Sequence, residues 1–348
     1  MKKLFTLGPP YAIRKALLNL IADVFGTSLD GFQSAARVRT ASELSPSLRP
    51  SFSSYHSETN CTALSPDGKH LIVGGPNSTA EVRSTTTGDL ISTFDGHLDA
   101  LKCVAISPNG EWAVSGGGII DPTVRIWRLR DGKELRICQG LWYQGHFNPV
   151  IAIEVSPDNR TIASASTDGV VKVWSADTGA HLATIKRKGR DKVCSLAFSV
   201  CGTILACGDV GGEIELRSVS KNKPLGTLRV HSGAVTGLAF LVDSTSLVSS
   251  SCDGTVKVID RYTGQTEWEF DGHAGPVTCM AAFLGGERVA TGGEDGTVQI
   301  LNPRTRTVEH ELTGHGYGVD FVAASFDEHT VLVSGSRRKF YKVWAAER

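Results

Sequence analysis

The sequence has no excess of charge of either sign and no long apolar run. Its 348 residues include 36 Lys and Arg and 36 Asp and Glu, so the formal net charge is zero. A balanced chain lacks the bulk positive field that usually holds a phosphate backbone, which argues against nucleic acid as a partner. No stretch approaches the roughly 18 apolar residues of a membrane helix. We therefore expect no membrane span.

Cysteine is also scarce, and its spacing carries no metal signature. The chain has eight cysteines, far below the density of a disulfide scaffold, and none stands in a C-x-x-C pair. The sequence therefore offers no ligand spacing for zinc and no thioredoxin-type redox centre. It predicts no metal, no cofactor and a reducing, cytoplasmic compartment.

The N-terminal segment differs from the rest of the chain. Between Tyr11 and Phe25 apolar residues recur at helical spacing, which predicts a short amphipathic helix over residues 11–25. Residues 26–50 are rich in Ser, Thr and Arg without a period, as in a linker. We expect a leader over residues 1–47 and a domain over residues 48–348. The leader could dock on the domain, stay disordered, or serve in targeting or partner binding.

Glycine, by contrast, is abundant, at 38 residues, and it accompanies a repeat. Seven similar apolar segments follow one another, among them CTALSPDG at 61–68 and CVAISPNG at 103–110. Their last apolar residues are Leu64, Ile106, Val155, Phe198, Phe240, Ala282 and Ala324, at steps of 42, 49, 43, 42, 42 and 42 residues. Periods of this size indicate stacked supersecondary units.

Each unit contains four short strands separated by turn residues. A four-stranded sheet buries little by itself, so seven such sheets must pack on one another, as they can in a closed ring. The chain ends on the third strand of the seventh unit. We therefore predict that residues 48–54 pair with residues 340–344 and supply the missing outer strand.

Several segments carry a family resemblance. SASTDGVVKVW at 164–174, SSSCDGTVKVI at 249–259, TGGEDGTVQIL at 291–301 and IIDPTVRIW at 119–127 resemble WD-repeat β-propeller units. The resemblance implies an all-β fold, a seven-bladed β-propeller of four-stranded antiparallel blades. It also implies that the loops before the first strand and between the second and third strands share one interaction face.

One constellation has the residue types of a hydrolytic triad, namely His146, Ser164 and Asp168. Equivalent sets recur in other repeats, at His97, Ser115 and Asp121, at His231, Ser249 and Asp253, and at His273, Thr291 and Asp295. An enzyme needs one such set rather than four, so we expect no catalytic residue. The resemblance implies instead a structural hydrogen-bonded network, which includes Trp127 in repeat 2 and Trp174 in repeat 3.

Two repeats keep almost nothing of this network. Arg83 and Arg217 stand at the tryptophan position of repeats 1 and 4. We expect apolar packing to hold those two blades.

An insertion lies on the expected interaction face. Two extra residues fall in GGGIID at 116–121, and about five fall in QGLWYQGH at 139–146. Aromatic and aliphatic side chains are typical of interface hot spots. The predicted partner-binding cluster consists of Ile119, Ile120, Trp142, Tyr143 and Phe147. In the alternative, Trp142 and Tyr143 fold back over their own blade.

Two basic clusters map to the same face. One lies between blades 3 and 4 and includes Arg187, Lys188 and Arg190, and the other is Arg337 and Arg338 in blade 7. A charge run is usually a solvated surface. It could also bind an acidic peptide, a phosphopeptide or a nucleic acid.

The sequence favours a noncatalytic protein-interaction scaffold, a monomeric propeller within a complex, which binds a protein or peptide on its loop face. One alternative is a lactonase-like hydrolase on a propeller scaffold, which requires carboxylates and histidines that converge at the channel mouth. Another is an adaptor for nucleic acid or anionic lipid through the basic loops.

Overall fold

The chain folds as short strands joined by tight turns. The structure, a computed structural model, describes residues 48–55, 59–138, 144–186, 191–283, 286–325, 331–336 and 340–346. The strands of the first half are β1 (Leu48–Tyr55), β2 (Cys61–Leu64), β3 (His70–Gly74), β4 (Ala80–Ser84), β5 (Leu90–Phe94), β6 (Leu101–Ile106), β7 (Trp112–Gly117), β8 (Val124–Arg128), β9 (Glu134–Cys138), β10 (Val150–Val155), β11 (Thr161–Ser166), β12 (Val170–Ser175), β13 (His181–Lys186) and β14 (Val193–Phe198). Those of the second half are β15 (Ile204–Asp209), β16 (Glu213–Ser218), β17 (Lys223–Arg229), β18 (Val235–Phe240), β19 (Ser246–Ser251), β20 (Val256–Asp260), β21 (Thr266–Phe270), β22 (Val277–Phe283), β23 (Arg288–Gly293), β24 (Val298–Asn302), β25 (Thr307–Leu312), β26 (Phe321–Ala324), β27 (Val331–Ser336) and β28 (Phe340–Ala346).

The strands of the described ranges form seven four-stranded antiparallel sheets. Six blades use four consecutive strands, from β2–β5 in blade 1 to β22–β25 in blade 6. The seventh blade has the order β1-β28-β27-β26. The predicted seven-bladed all-β propeller is confirmed. The helix predicted over residues 11–25 and its linker lie outside the described residues, so the boundary at 47/48 stays a prediction.

The recurring Ser-Pro-Asp segment forms the turn between the first two strands of a blade. In blade 3, Ser156 Oγ donates to Asp158 Oδ1 at 2.6 Å and accepts from the Thr161 amide at 2.9 Å. The same carboxylate oxygen accepts from the Arg160 amide at 3.0 Å. Short polar side chains that bond to nearby backbone favour turns over strands. Ser65 and Asp67 make the same bonds in blade 1, so this local chemistry ends the inner strands of both blades at the same point of the repeat.

The ring closes between the two ends of the domain. Strand β1 pairs with β28, from Leu48 opposite Ala346 to Tyr55 opposite Phe340, which confirms the predicted closing strand. Apolar residues of blade 1, including Leu71 and Val73, also share one buried cluster with residues of blade 7. The closure therefore rests on both hydrogen bonds and packing.

The hydrophobic core is divided among the interfaces between blades. Each of the seven buried clusters in the described residues joins two neighbouring blades. Between blades 2 and 3, for example, Val114 and Ile126 pack in one cluster with Ile162 and Trp174. Because each sheet buries its faces only on its neighbours, the ring stabilises the blades together.

Blades 1 and 4 have the expected apolar packing and an ion pair in addition. Their apolar clusters are present, but an ion pair stands where other blades place tryptophan. Arg83 lies 2.7 Å from Glu81 Oε2, and Arg217 pairs with Glu215. Residues two apart on a strand share a face, so each arginine meets the glutamate that precedes it. Apolar packing alone does not account for these blades.

Candidate interaction face

A buried hydrogen-bonded network ties together the strands of blade 2. His97 Nε2 lies 2.7 Å from Ser115 Oγ, and the Trp127 indole donates to the same oxygen at 2.7 Å. His97 Nδ1 lies 3.0 Å from Asp121 Oδ2. All four side chains are buried.

Blade 3 repeats the arrangement with one longer distance. His146 Nε2 and Trp174 Nε1 both lie 2.8 Å from Ser164 Oγ. His146 Nδ1 lies 3.6 Å from Asp168 Oδ2, beyond hydrogen-bond distance. The sets in blades 5 and 6 have the same histidine–hydroxyl and histidine–aspartate contacts without a tryptophan.

Blade 7 holds a further copy that the sequence analysis missed. His315 Nε2 and Trp344 Nε1 both lie 2.8 Å from Ser334 Oγ. Arg338 replaces the repeat aspartate, and Ser334 and Trp344 lie one residue later than the repeat predicts, although Gly314-His315 stand in phase. The histidine and the hydroxyl are therefore common to the sets of blades 2, 3, 5, 6 and 7, whereas blades 5 and 6 lack the indole and blade 7 lacks the aspartate.

The side chains of these sets bond to one another within each blade. Ser164 is fully buried, and its hydroxyl is already engaged by an indole and an imidazole. Burial lowers the pKa of His97 and His146, which favours neutral imidazoles. A nucleophile needs a substrate within reach, and none can approach these oxygens. In the described parts of the chain, no group of three or more His, Cys, Asp or Glu side chains could hold a metal ion.

In blades 2, 5 and 6 the aspartate of the set also joins two loops of the face. Asp121 Oδ2 accepts from the Leu98 amide at 3.0 Å, so the loop before β6 is bonded to the loop between β7 and β8. Asp253 and Asp295 accept from the amides of Ser232 and Ala274 in the same way. In blades 2, 5 and 6 the residue after the network histidine is therefore held at the rim of its blade.

Four large apolar side chains are exposed on this face over blades 2 and 3. The exposed fractions are 76% for Leu98, 67% for Ile119, 75% for Ile120 and 62% for Phe147. We call these four residues the apolar rim. The sequence analysis named three of them from the inserted segments. It missed Leu98, because this single leucine after His97 lies outside those segments. Trp142 and Tyr143 lie outside the described residues.

The loop that carries Ile119 and Ile120 is held by a carboxylate. Asp99 accepts from the Ile120 amide at 2.9 Å and from the Ala100 amide at 2.7 Å. These backbone donors lower the pKa of Asp99, so it is ionised at neutral pH. A Cβ on Gly118 would lie 2.4 Å from Asp99 Oδ2, so any side chain there would displace the Asp99 carboxylate.

The loop ends of blades 2 and 3 abut. A Cβ on Gly116 would lie 2.8 Å from Val150 Cβ, and Cys103 Sγ donates to the Val150 carbonyl at 3.2 Å. Gly116 precedes Ile119 by three residues, and Val150 follows Phe147 by three. The loop of blade 2 that carries Ile119 and Ile120 and the loop of blade 3 that carries Phe147 therefore begin at neighbouring points of the ring.

The basic clusters lie outside the part of the chain that the structure describes. This applies to Arg187, Lys188 and Arg190 and also to Arg337 and Arg338. Their role in binding stays a prediction. No helix in the described ranges has the length and apolar character needed to cross a membrane.

Comparison with known families agrees with this architecture. A family model described as the IFT122 first beta-propeller matches residues 58–345, which is most of the chain. The chain belongs to this family of WD-repeat propellers. The match begins close to β2 and ends within β28, so it covers all seven blades.

Individual relatives cover less of the chain. Human apoptotic protease-activating factor 1 is 32% identical over 133 residues, which are 35% of this chain and 10% of that protein. Nuclear distribution protein nudF of Aspergillus flavus is 25% identical over 44% of this chain and 34% of its own length. A guanine nucleotide-binding protein subunit beta of Zea mays is 29% identical over 44% of this chain and 42% of its own length. The chain thus spans less than half the length of each of these relatives.

Proposed function

We propose that this protein is a noncatalytic interaction scaffold that binds a partner protein or peptide through the apolar rim. The observation that carries the proposal is the exposure of Leu98, Ile119, Ile120 and Phe147 on one face, over two neighbouring blades. Contiguous apolar surface rimmed by polar residues is a mark of protein interaction sites. WD-repeat propellers such as the relatives above are typically protein-interaction scaffolds.

Rigidity supports the same proposal. The Asp99 and Asp121 carboxylates fix the backbone of both rim loops of blade 2 before any partner arrives. A surface that is already ordered loses little conformational entropy on binding. The partner of such a surface presents apolar or aromatic side chains rather than a dense array of charges.

Noncatalytic action is part of the proposal. The serine and threonine hydroxyls of the triad-like sets are buried and engaged within their blades, which supports a structural role. We also propose that the protein acts as a monomeric propeller within a complex, in the cytoplasm.

The test is affinity capture from cell extract with two matched variants. The rim variant carries Leu98→Ser, Ile119→Ser, Ile120→Ser and Phe147→Ser. The control variant carries serine at four exposed apolar positions of outer strands, Leu90, Leu182, Leu225 and Val308. Both variants should melt like the parent protein. We expect the rim variant to lose the captured partner and the control variant to keep it.

The opposite pattern would contradict the proposal. If the rim variant captures the same partner as the parent, the apolar rim is not the binding surface. Capture that survives in the rim variant but falls steeply with salt would favour the basic loops, because exposed charge interactions are screened.

A further inference from the structure

One position of the inner strands breaks the symmetry of the ring. Six blades have alanine there, and blade 3 has Glu154 on β10. The alanines are Ala63, Ala105, Ala197, Ala239, Ala281 and Ala323, and each pairs with the equivalent residue of its second strand. All seven positions line one cavity. The glutamate is therefore a single carboxyl group in a ring of methyl groups.

The cavity lies in the central channel and is mostly apolar. It has a volume of about 670 Å³ and is lined by the inner strands and by the turns that follow them, including Pro66, Pro108 and Pro157. These turns stand at the opposite end of the inner strands from the apolar rim. Large apolar neighbours on its wall include Ile106, Val155, Phe198, Leu238, Phe240 and Met280. A cavity of this size and character falls in the range of small-molecule sites, about 300–1,000 Å³.

Glu154 has no counter-ion in the described residues. Among the described residues that line the cavity there is no lysine, arginine or histidine, and the other titratable residue is Cys194 on β14. Burial raises the pKa of Glu154 to about 8 and raises that of the Cys194 thiol as well. An ionised carboxylate among apolar groups is costly unless it is paired. The channel holds a group whose charge a cationic ligand would stabilise.

We propose that the channel binds a small apolar molecule that carries one ammonium group, with the ammonium on the Glu154 carboxylate and the hydrocarbon body against the ring of alanines. The alanines supply the room that larger side chains would fill. An ammonium has three donors, whereas a guanidinium has five and would leave more of them unpaired in an apolar channel. An anion would be repelled, and one carboxylate is too few ligands for a divalent metal. This site is independent of the apolar rim.

The test compares two ligands of the same shape, 1-adamantylamine and 1-adamantanol, by isothermal titration calorimetry on the full chain. Near pH 8 we expect the amine to bind at least about tenfold more tightly than the alcohol. Between pH 7 and pH 6 amine affinity should fall about tenfold, because Glu154 must lose a proton before it pairs. The affinity of the alcohol should not change with pH.

Two variants complete the experiment. Glu154→Gln should remove both the preference for the amine and its pH dependence, while the alcohol still binds. Ala239→Leu should weaken both ligands, because it fills the cavity from another inner strand. The proposal is wrong if the parent protein binds neither ligand, if it binds both equally near pH 8, or if Glu154→Gln keeps the preference. If Glu154→Gln fails to fold, the pH dependence of amine binding to the parent protein still tests the proposal.

Discussion

The Trp174 indole donates its N–H to Ser164 Oγ at 2.8 Å in the interior of blade 3. An indole can only donate, so the serine accepts from it, and the same hydroxyl also forms a hydrogen bond with His146 Nε2, 2.8 Å away. The lowered pKa of His146 agrees with a neutral ring. One hydroxyl therefore satisfies two buried groups from different strands.

Removal of that hydroxyl should be costly. Ser164→Ala leaves the Trp174 N–H and His146 Nε2 without partners, and each such buried group costs about 1–3 kcal/mol. We expect a loss of about 3 kcal/mol in the free energy of unfolding, measured by urea denaturation. Ser249→Ala in blade 5 is the matched control, because Ser249 contacts His231 but Ile259 replaces the tryptophan. Its loss should be about half as large, and equal losses would show that the indole bond adds nothing.

The thiol of Cys201 should be the most reactive in the protein. It is exposed and lies 2.9 Å from Thr203 Oγ1 and 3.5 Å from Ser199 Oγ, and these hydroxyls lower its pKa to about 7. Cys252 is also an exposed residue, but its thiol group is partly shielded from water, and this desolvation raises the pKa of the thiol. At neutral pH iodoacetamide should modify Cys201 first, as peptide mass spectrometry would show. Thr203→Val should slow this reaction by about tenfold. Equal rates at Cys201 and Cys252 would contradict the prediction.

Glu154 should make stability depend on pH. Its pKa is about 8 in the folded protein against 4.5 as the ordinary value, so between these pH values the folded chain holds a proton that the unfolded chain releases. This group therefore stabilises the fold most at low pH, and its contribution is lost as pH rises toward 8. Glu154→Ala, the residue of the other six blades, should raise the melting temperature at pH 8 and change it little at pH 5. A difference that stays constant across this range would show that Glu154 titrates normally.

Strand β1 should be needed to keep the ring closed. A chain that starts at residue 58 lacks the partner of β28, and its seventh blade has an unpaired edge. A chain that starts at residue 47 keeps β1 and serves as the control. We expect the shorter chain to melt at least about 5 °C lower, since about 1 kcal/mol shifts the midpoint by a few degrees in a domain of this size. Equal melting temperatures would mean that blade 7 is stable with three strands.

The fold could be predicted because its signals are local and repeated seven times. Turn residues such as Ser156 and Asp158 act within a few positions of the chain, and the closing strand follows from counting strands. The ion pairs of Arg83 and Arg217 were missed, although each arginine stands two residues after a glutamate on the same strand face.

The surface was harder to predict than the core. Leu98 carries no pattern, and its exposure follows from the bond between its amide and Asp121. Glu154 was visible as the exception to six alanines, but its meaning depends on knowing that this position faces the channel. Such features come from the way distant strands meet, which a single sequence does not encode in any short window.

The central claim is that the apolar rim contacts the partner directly. Site-specific photocrosslinking tests it, with benzoylphenylalanine placed at Ile120 in one protein and at Leu225 on the outer strand of blade 4 in another. The account predicts a crosslink to the captured partner from position 120 and none from position 225. A crosslink from position 225 alone, or equal crosslinks from both positions, would contradict it.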